Sequence, residues 1–382
     1  MTPTDDLLSL CRAWLHNGEA PVARIQDWAA LRGLAAPHRL HPLIYRQLAV
    51  QAEEVPAIEL AWWAQKARMI TLDNLKRTAE LVRVVLLMRE RGLEPVPVKG
   101  PCLSLELYRD VSFREFSDLD LLIPQDQALP ALACLHEAGY VIDDGTDHPP
   151  EAQQWPAYLT GQRGEIPLVN RDNLIQVDLH WRMLSLIAGG DDDWSLRLSP
   201  EPLQLAGHAI PRLATDYLLV YLALHGFKHG WNRLAWLVDL AMLLVRAPDW
   251  DLAALRGSFL GDTQNMLIFL SCLCLVESLL GVPLNPGLQE DALCRELMPK
   301  ARELAQAVGQ GIYESRGREP GQASLLKYQL MACPNLGAKA QCLMRLANAV
   351  GFEEVRTLGL PKGLRLLYYP YRWCRLIAKP LR

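Results

Sequence analysis

The chain lacks a surplus of either charge, any zinc-type cysteine spacing and any apolar run long enough to cross a bilayer. Its 39 Lys and Arg stand against 43 Asp and Glu, for a net charge of -4 and a pI near 6.2. Bulk electrostatics therefore offer nothing to attract duplex nucleic acid. They do not exclude a nucleotide, because one metal-filled pocket reverses the sign locally. The nine cysteines are scattered, and Cys272 and Cys274 sit inside an apolar run where thiols act as small hydrophobes. Free thiols suit a reducing compartment, so a cytoplasmic location is expected. The N-terminal MTPTDDLLSL has no cationic stretch of the secretory kind. The apolar run over 266–276 is 11 residues long and ends at Glu277, well short of the ~20 residues a membrane helix needs. The chain shows no internal repeat and no low-complexity segment.

What is present is the composition of a folded protein: 382 residues, 50% hydrophobic and 21% charged, enough for two or three domains. Residues 1–92 read as a helical N-terminal region. Helical apolar spacing runs over 5–15 and over 58–91, the latter long enough to be bent or divided. The texture changes at Gly92. EPVPV at 94–98 is extended, because proline and β-branched residues disfavour helix. A Lys99-Gly100-Pro101 turn then opens a helix over 102–108, with Pro101 suited to a first turn. DLDLLI at 118–123 is a strand, 125–138 a helix, 140–142 extended and 143–156 a loop. LIQVDLH at 174–180 alternates as a second strand. Residues 93–212 thus form a mixed core, 213–350 a helical domain in which Thr215 is placed to cap a helix over 216–229, and 351–382 a basic, aromatic C-terminal tail. The expected class is α+β, a small mixed sheet flanked by helices.

The sharpest chemical signal is Ser117 followed by DLD at 118–120. Side chains alternate along a strand, so Asp118 and Asp120 share one face while Leu119 and Leu121 take the other. Two close carboxylates repel unless a cation or a raised pKa relieves them. Mg²⁺, which prefers carboxylate and phosphate oxygens, resolves that conflict. Asp178 is a third acid on another apolar strand, with His180 on its face. Three acids around one or two Mg²⁺ ions suit in-line phosphoryl or nucleotidyl transfer. The Lys99-Gly100 turn offers backbone N–H groups and a cation to phosphate. Each element alone has an ordinary reading, since a lone D-x-D is more often solvated surface. Their order along the chain carries the argument. As strand-edge carboxylates they should stabilise nothing without metal, so Asp118→Ala or Asp120→Ala is expected to abolish metal-dependent NTP binding and leave the fold intact.

This series, Lys99-Gly100, Tyr108, Arg114, SDLDLLI at 117–123 and VDLHW at 177–181, resembles the uncharacterised bacterial nucleotidyltransferase family of the DNA polymerase beta-like superfamily. The resemblance is specific around 97–123 and 174–182. It implies a nucleotidyltransferase core with Asp118, Asp120 and Asp178 as catalytic and metal-binding acids, Asp178 acting either as ligand or as general base. It also implies one or two Mg²⁺ ions, an NTP substrate such as ATP, and an acceptor the sequence does not identify. One departure is that the superfamily's Gly-Ser turn is Lys99-Gly100-Pro101 here, so the serine contact to phosphate is missing and Lys99 stands in for it. Lys99, Gly100, Arg114, Ser117, His180, His225, Lys228 and Arg233 make up the expected nucleotide and phosphate contacts.

His225 and His229 lie one helical turn apart, with Arg233 a further turn on. Structural histidines are the simpler reading. The alternative places His225, Lys228 and Arg233 at the nucleotide, and the resemblance extends weakly to this H-x-x-x-H and to Trp236, Leu237 and Asp239. Residues 362–382 combine six basic residues, no acids and four aromatics. Such a tail fits a membrane surface or a protein partner, which adds a peripheral position at the inner membrane face to the cytoplasmic expectation. Pro370 prevents it from forming a single amphipathic helix. The leading expectation is an Mg²⁺-dependent nucleotidyltransferase. Its rivals are a non-catalytic nucleotide- or partner-binding protein on the same fold, and a membrane assembly factor working through the tail.

Overall fold

The computed structural model describes residues 2–143, 151–156, 164–182, 197–258, 260, 262–315, 317–318 and 320–348, with positions 145, 159, 357–358, 367–371 and 374. Part of the loop expected over 143–156 and most of the tail over 351–382 lie outside the described residues.

Helix α1 (Pro3–Leu15) opens on a reciprocal cap, in which Thr2 Oγ1 accepts from the Asp5 amide and Asp5 Oδ2 accepts from the Thr2 amide. Helices α2 (Trp28–His38) and α3 (His41–Val50) follow, and then α4 (Ala57–Arg89), a single 33-residue helix where the sequence left division open. Next come β1 (Val96–Pro97), α5 (Gly100–Tyr108), β2 (Asp118–Leu122), α6 (Ala128–Glu137) and β3 (Tyr140–Ile142). A separate 3-10 turn, Gln125–Gln127, precedes α6, so the helix expected over 125–138 is divided. Strands β4 (Glu165–Asn170) and β5 (Gln176–His180) then pair, and β6 (Leu203–Leu205) and β7 (His208–Ile210) form a hairpin. Ala206 and Gly207 both take positive φ at its tip, the backbone a tight hairpin turn requires.

The remaining described elements are helical: α7 (Thr215–Lys228), α8 (Leu234–Arg246), α9 (Leu252–Ser258), α10 (Thr263–Leu280), α11 (Gly287–Glu290), α12 (Ala292–Ser315), α13 (Gln322–Ala332) and α14 (Leu336–Asn348). Thr215 is not the cap of α7. It is the first helical residue, and Ala214 takes the cap position without a side-chain hydrogen bond.

Two compact units emerge, each assembled from three stretches of chain. The helical unit comprises Met1–Thr78, Pro101–Phe116 and Ala214–Ala332; the sheet unit comprises Ala79–Gly100, Ser117–Leu213 and Cys333–Arg382. In the helical unit α10 is the central element and packs against α7 and α12. Asp262 caps its start through the Gln264 and Asn265 amides, and Gly281 at φ 73° ends it. At 18 residues α10 exceeds the 11-residue apolar run and reaches the length and composition of a membrane span. Its residues from Met266 to Val276 are nevertheless at most 3% exposed within the unit. A helix apolar on every side is what a core position selects.

The sheet unit holds a five-stranded mixed sheet in the order β1-β2-β5-β4-β3. β2 and β5 run parallel and the other pairs antiparallel. α6 packs against β3 and β5. The fold is therefore α+β, as the sequence indicates.

Candidate active site

One face of the sheet is apolar across β2 and β5 and over Ile166 and Leu168 of β4. Leu119 and Leu121 of β2, Val177 and Leu179 of β5, and Ile166 and Leu168 of β4 are each at most 1% exposed. Because strand side chains alternate, that burial forces the intervening residues onto the opposite face. A one-residue slip of β2 would drive Leu119 and Leu121 out and Asp118 and Asp120 in, so the hydrophobic set fixes the register of the polar set. The parallel register places Asp118 beside Gln176, Asp120 beside Asp178 and Leu122 beside His180, and the β4 pairing sets Glu165 opposite His180. β2 is an interior strand of the sheet, with β1 on one side and β5 on the other. Its acids are not at an edge.

Lys99 joins this face through β1. The Val98 amide donates to the Asp120 carbonyl at 3.2 Å, and the next residue extends its ammonium to Asp120 Oδ1 at 2.9 Å. Gly100 follows at φ 54°, a left-handed conformation that glycine adopts at little cost. His180 brings Nε2 to 3.1 Å from the same Asp120 oxygen, and its Nδ1 lies 3.4 Å from Glu165 Oε2. Asp120 is 5% exposed and the Lys99 side chain 11%. This is a buried, hydrogen-bonded charge pair.

The two neighbouring carboxyls diverge in proton affinity. Burial pushes Asp120 up, but the Lys99 ammonium and the His180 hydrogen bond outweigh it and hold the group far below the ordinary carboxylate range. Asp178 is pushed up to about 7, by burial first and then by the negative charge of Asp120, with Asp118 and Glu165 adding to it. Among the described residues no donor is aimed at the Asp178 carboxyl. Lys99 thus pairs with one acid, while the charge of the second is offset in part by the nearby His180. A divalent cation fits that imbalance, and the donor set suits one. Ligand atoms of Asp120, Asp178 and His180 lie within 4.8 Å of one another, the one such cluster among the described residues. Asp118 is half-buried, one step along the same face, and is not part of that cluster. Ser117 precedes β2 and is also half-buried.

The other expected contacts belong to the helical unit. Arg114 is 7% exposed, and its Nε donates to Asp239 Oδ2 at 2.7 Å. The Tyr108 hydroxyl donates to the other oxygen, Oδ1, also at 2.7 Å. Tyr108 stacks on Phe113, and Trp14 packs against both rings. The backbone of this loop is held by Asn74, whose Nδ2 donates to the Val111 and Arg114 carbonyls. His225, His229 and Trp236 form a half-buried aromatic group. The two imidazoles are 4.8 Å apart, and the Arg233 guanidinium lies 4.9 Å over the Trp236 ring. Lys228 is half-buried on the same helix. Gly226 between them is required by packing, because a Cβ there would meet the Trp231 ring at 2.4 Å.

Glu165 is the site residue that sequence reasoning misses. Its strand carries Pro167 and starts after Gly164 (φ 96°), which disguises a strand that pairs on both sides. The usable signal was the Ile166, Leu168 alternation.

A scan against family models matches residues 25–276 to a family described as uncharacterised nucleotidyltransferase. A search of the curated proteins returns no match.

Proposed function

Because the chain belongs to the uncharacterised nucleotidyltransferase family, we propose that it uses the sheet face of Asp118, Asp120 and Asp178 to move a nucleoside monophosphate from an NTP to an acceptor hydroxyl with Mg²⁺. The acceptor is a small molecule, a peptide or a protein. The observation that carries this reading is the parallel register setting Asp120 beside Asp178 over an apolar sheet face. Asp120 and Asp178, with Asp118 adjacent, would hold the divalent ion. When bound, such an ion supplies Lewis-acid stabilisation of the charge that builds on the transferred phosphoryl group.

The protein's own groups do the rest. The acceptor oxygen forms a bond to the α-phosphorus, the bond from that phosphorus to the pyrophosphate oxygen breaks, and the acceptor proton leaves for a base. In the alternative in which Asp178 is the base rather than a ligand, it is suited to that proton, since its carboxyl has the higher proton affinity of the neighbouring pair. Lys99 and Gly100 sit where a phosphate oxygen gains an ammonium and an open backbone turn. His180 and Glu165 orient Asp120 from behind. The family's activity implies an NTP; ATP and the Mg²⁺ requirement are part of this proposal.

A second reading has one observation in its favour. Lys99 and His180 already satisfy Asp120, as they would in a scaffold that binds a partner and no metal. Calorimetric titration of each NTP, with Mg²⁺ and again with EDTA, separates the two. Mg²⁺-dependent binding, weakened at least about tenfold in Asp178→Asn, supports the enzyme. Absence of binding, or binding indifferent to both EDTA and Asp178→Asn, transfers the case to the scaffold.

A further inference from the structure

The chain's charge is distributed unevenly. Residues 333–382 hold nine Lys and Arg against two Glu, a net of +7, whereas the chain as a whole carries -4. The preceding 332 residues are therefore at -11. Within the basic segment, α14 (LGAKAQCLMRLAN) contains no acid.

At 100° per residue, Leu336, Ala340, Leu343 and Met344 of α14 fall on one face of about 100°. That face is bare. Leu336 is 82% exposed, Leu343 46% and Met344 58%, and Ala340 is exposed as well. Ala338 and Cys342, on the other side, are half-buried. Further along, Leu367 and Tyr369 are exposed at 51% and 39%, while Tyr368 between them is buried. The helix thus offers leucine and methionine to its surroundings, and every charge it carries is positive.

The partner of such a face must accept apolar side chains and supply negative charge around them. A second copy docked through this same face would bring two +7 segments together. An anionic bilayer meets both requirements, with acyl chains beneath phosphate headgroups. We propose that α14 lies in the surface of an anionic phospholipid membrane, with Leu336, Leu343 and Met344 entering the acyl boundary and the net positive charge of the sequence from 333 onward drawing it there. Pro370 does not weaken this case, because the amphipathic element is α14 rather than the tail that follows it. The inference is independent of the nucleotidyl-transfer reading.

Flotation of the full-length protein with vesicles provides the test. One set is phosphatidylcholine alone, the other a mixture with phosphatidylglycerol. Binding should favour the anionic vesicles, fall with added salt, and drop at least about tenfold in the double variant Leu343→Asp, Met344→Asp. Both positions are exposed, so circular dichroism and Tm should match wild type. Val50→Asp, at a site 75% exposed in the helical unit, should bind as wild type does. Equal binding to neutral vesicles, unchanged binding of the double variant, or an equal loss in Val50→Asp overturns the proposal. So does a dimer in sedimentation equilibrium that the double variant dissolves, which assigns the face to a second copy. Binding of an acidic protein without any vesicle binding overturns it equally.

Discussion

Two of the described ion pairs, Arg114–Asp239 and Lys99–Asp120, enclose the cation as well as the carboxylate, and the two are completed differently. In the helical unit, Asp239 has one oxygen on Arg114 and the other on Tyr108, inside a shell of Trp14 and Phe113. Every charge has a partner. In the sheet unit, Asp120 is equally well held by Lys99 and His180, but a second acid, Asp178, is set beside it with no cation hydrogen-bonded to it among the described residues. A closed pair is architecture. A pair with a surplus carboxyl is a vacancy for positive charge, and this difference separates the candidate site from a merely buried salt bridge.

Removing one partner of the ion pair in each place should break the comparison most sharply. Asp239→Ala removes the carboxylate shared by a buried guanidinium and a buried phenol, and is expected to cost about 3–5 kcal/mol in urea unfolding. Lys99→Met should cost about 2–3 kcal/mol, less because His180 stays on Asp120. By the same reasoning Asp120→Ala destabilises the protein, contrary to the expectation for a strand-edge acid. It is a poor probe of ligand binding, and Asp118→Asn and Asp178→Asn are better ones.

The helical unit should also carry an acid sensitivity of its own. Burial lowers His38 to about 4 from its ordinary 6.5, and its Nδ1 accepts from the Leu234 amide. The unfolded chain therefore takes up this proton first as pH falls. The stability concerned is complete above pH 6.5 and is lost progressively down through about 4. Between pH 6.5 and 5 wild type should lose about 2 kcal/mol that His38→Gln does not lose. The smallest effect has the opposite sign. In EDTA, Asp178→Asn should raise stability by about 1 kcal/mol, because it removes a like charge from beside Asp120. A loss there would mean that Asp178 has a structural partner, and the contrast between the two places would collapse.

The acids were legible because a period of two is written directly into DLDLL and QVDLH. The pairing of those strands was not, since nothing in either stretch states that they run parallel or that Asp120 meets Asp178. Arg114 read as a phosphate contact from its place near the D-x-D. Its partner Asp239 lies 125 residues further on, a distance over which local pattern is silent. β4 was lost because proline and glycine signal a break, and here tertiary pairing overrode them. A division drawn in sequence order, at 92, 212 and 350, has no means of expressing units that each draw on three separate stretches. Helices were read well because α1, α4 and α8 bury one stripe. The apolar run over 266–276 set no limits for α10, because a core helix has no polar face to mark them.

The parallel pairing also imposes an order in time. Lys99 is 21 residues from Asp120, whereas His180 is 60 residues away. Closing the longer loop costs more chain entropy, and parallel pairings at such separations are slow to form. As the chain folds, the ammonium is expected to reach Asp120 before β5 brings Asp178 alongside. The first acid is then already neutralised when the second arrives, and the two like charges are never required to approach each other unshielded.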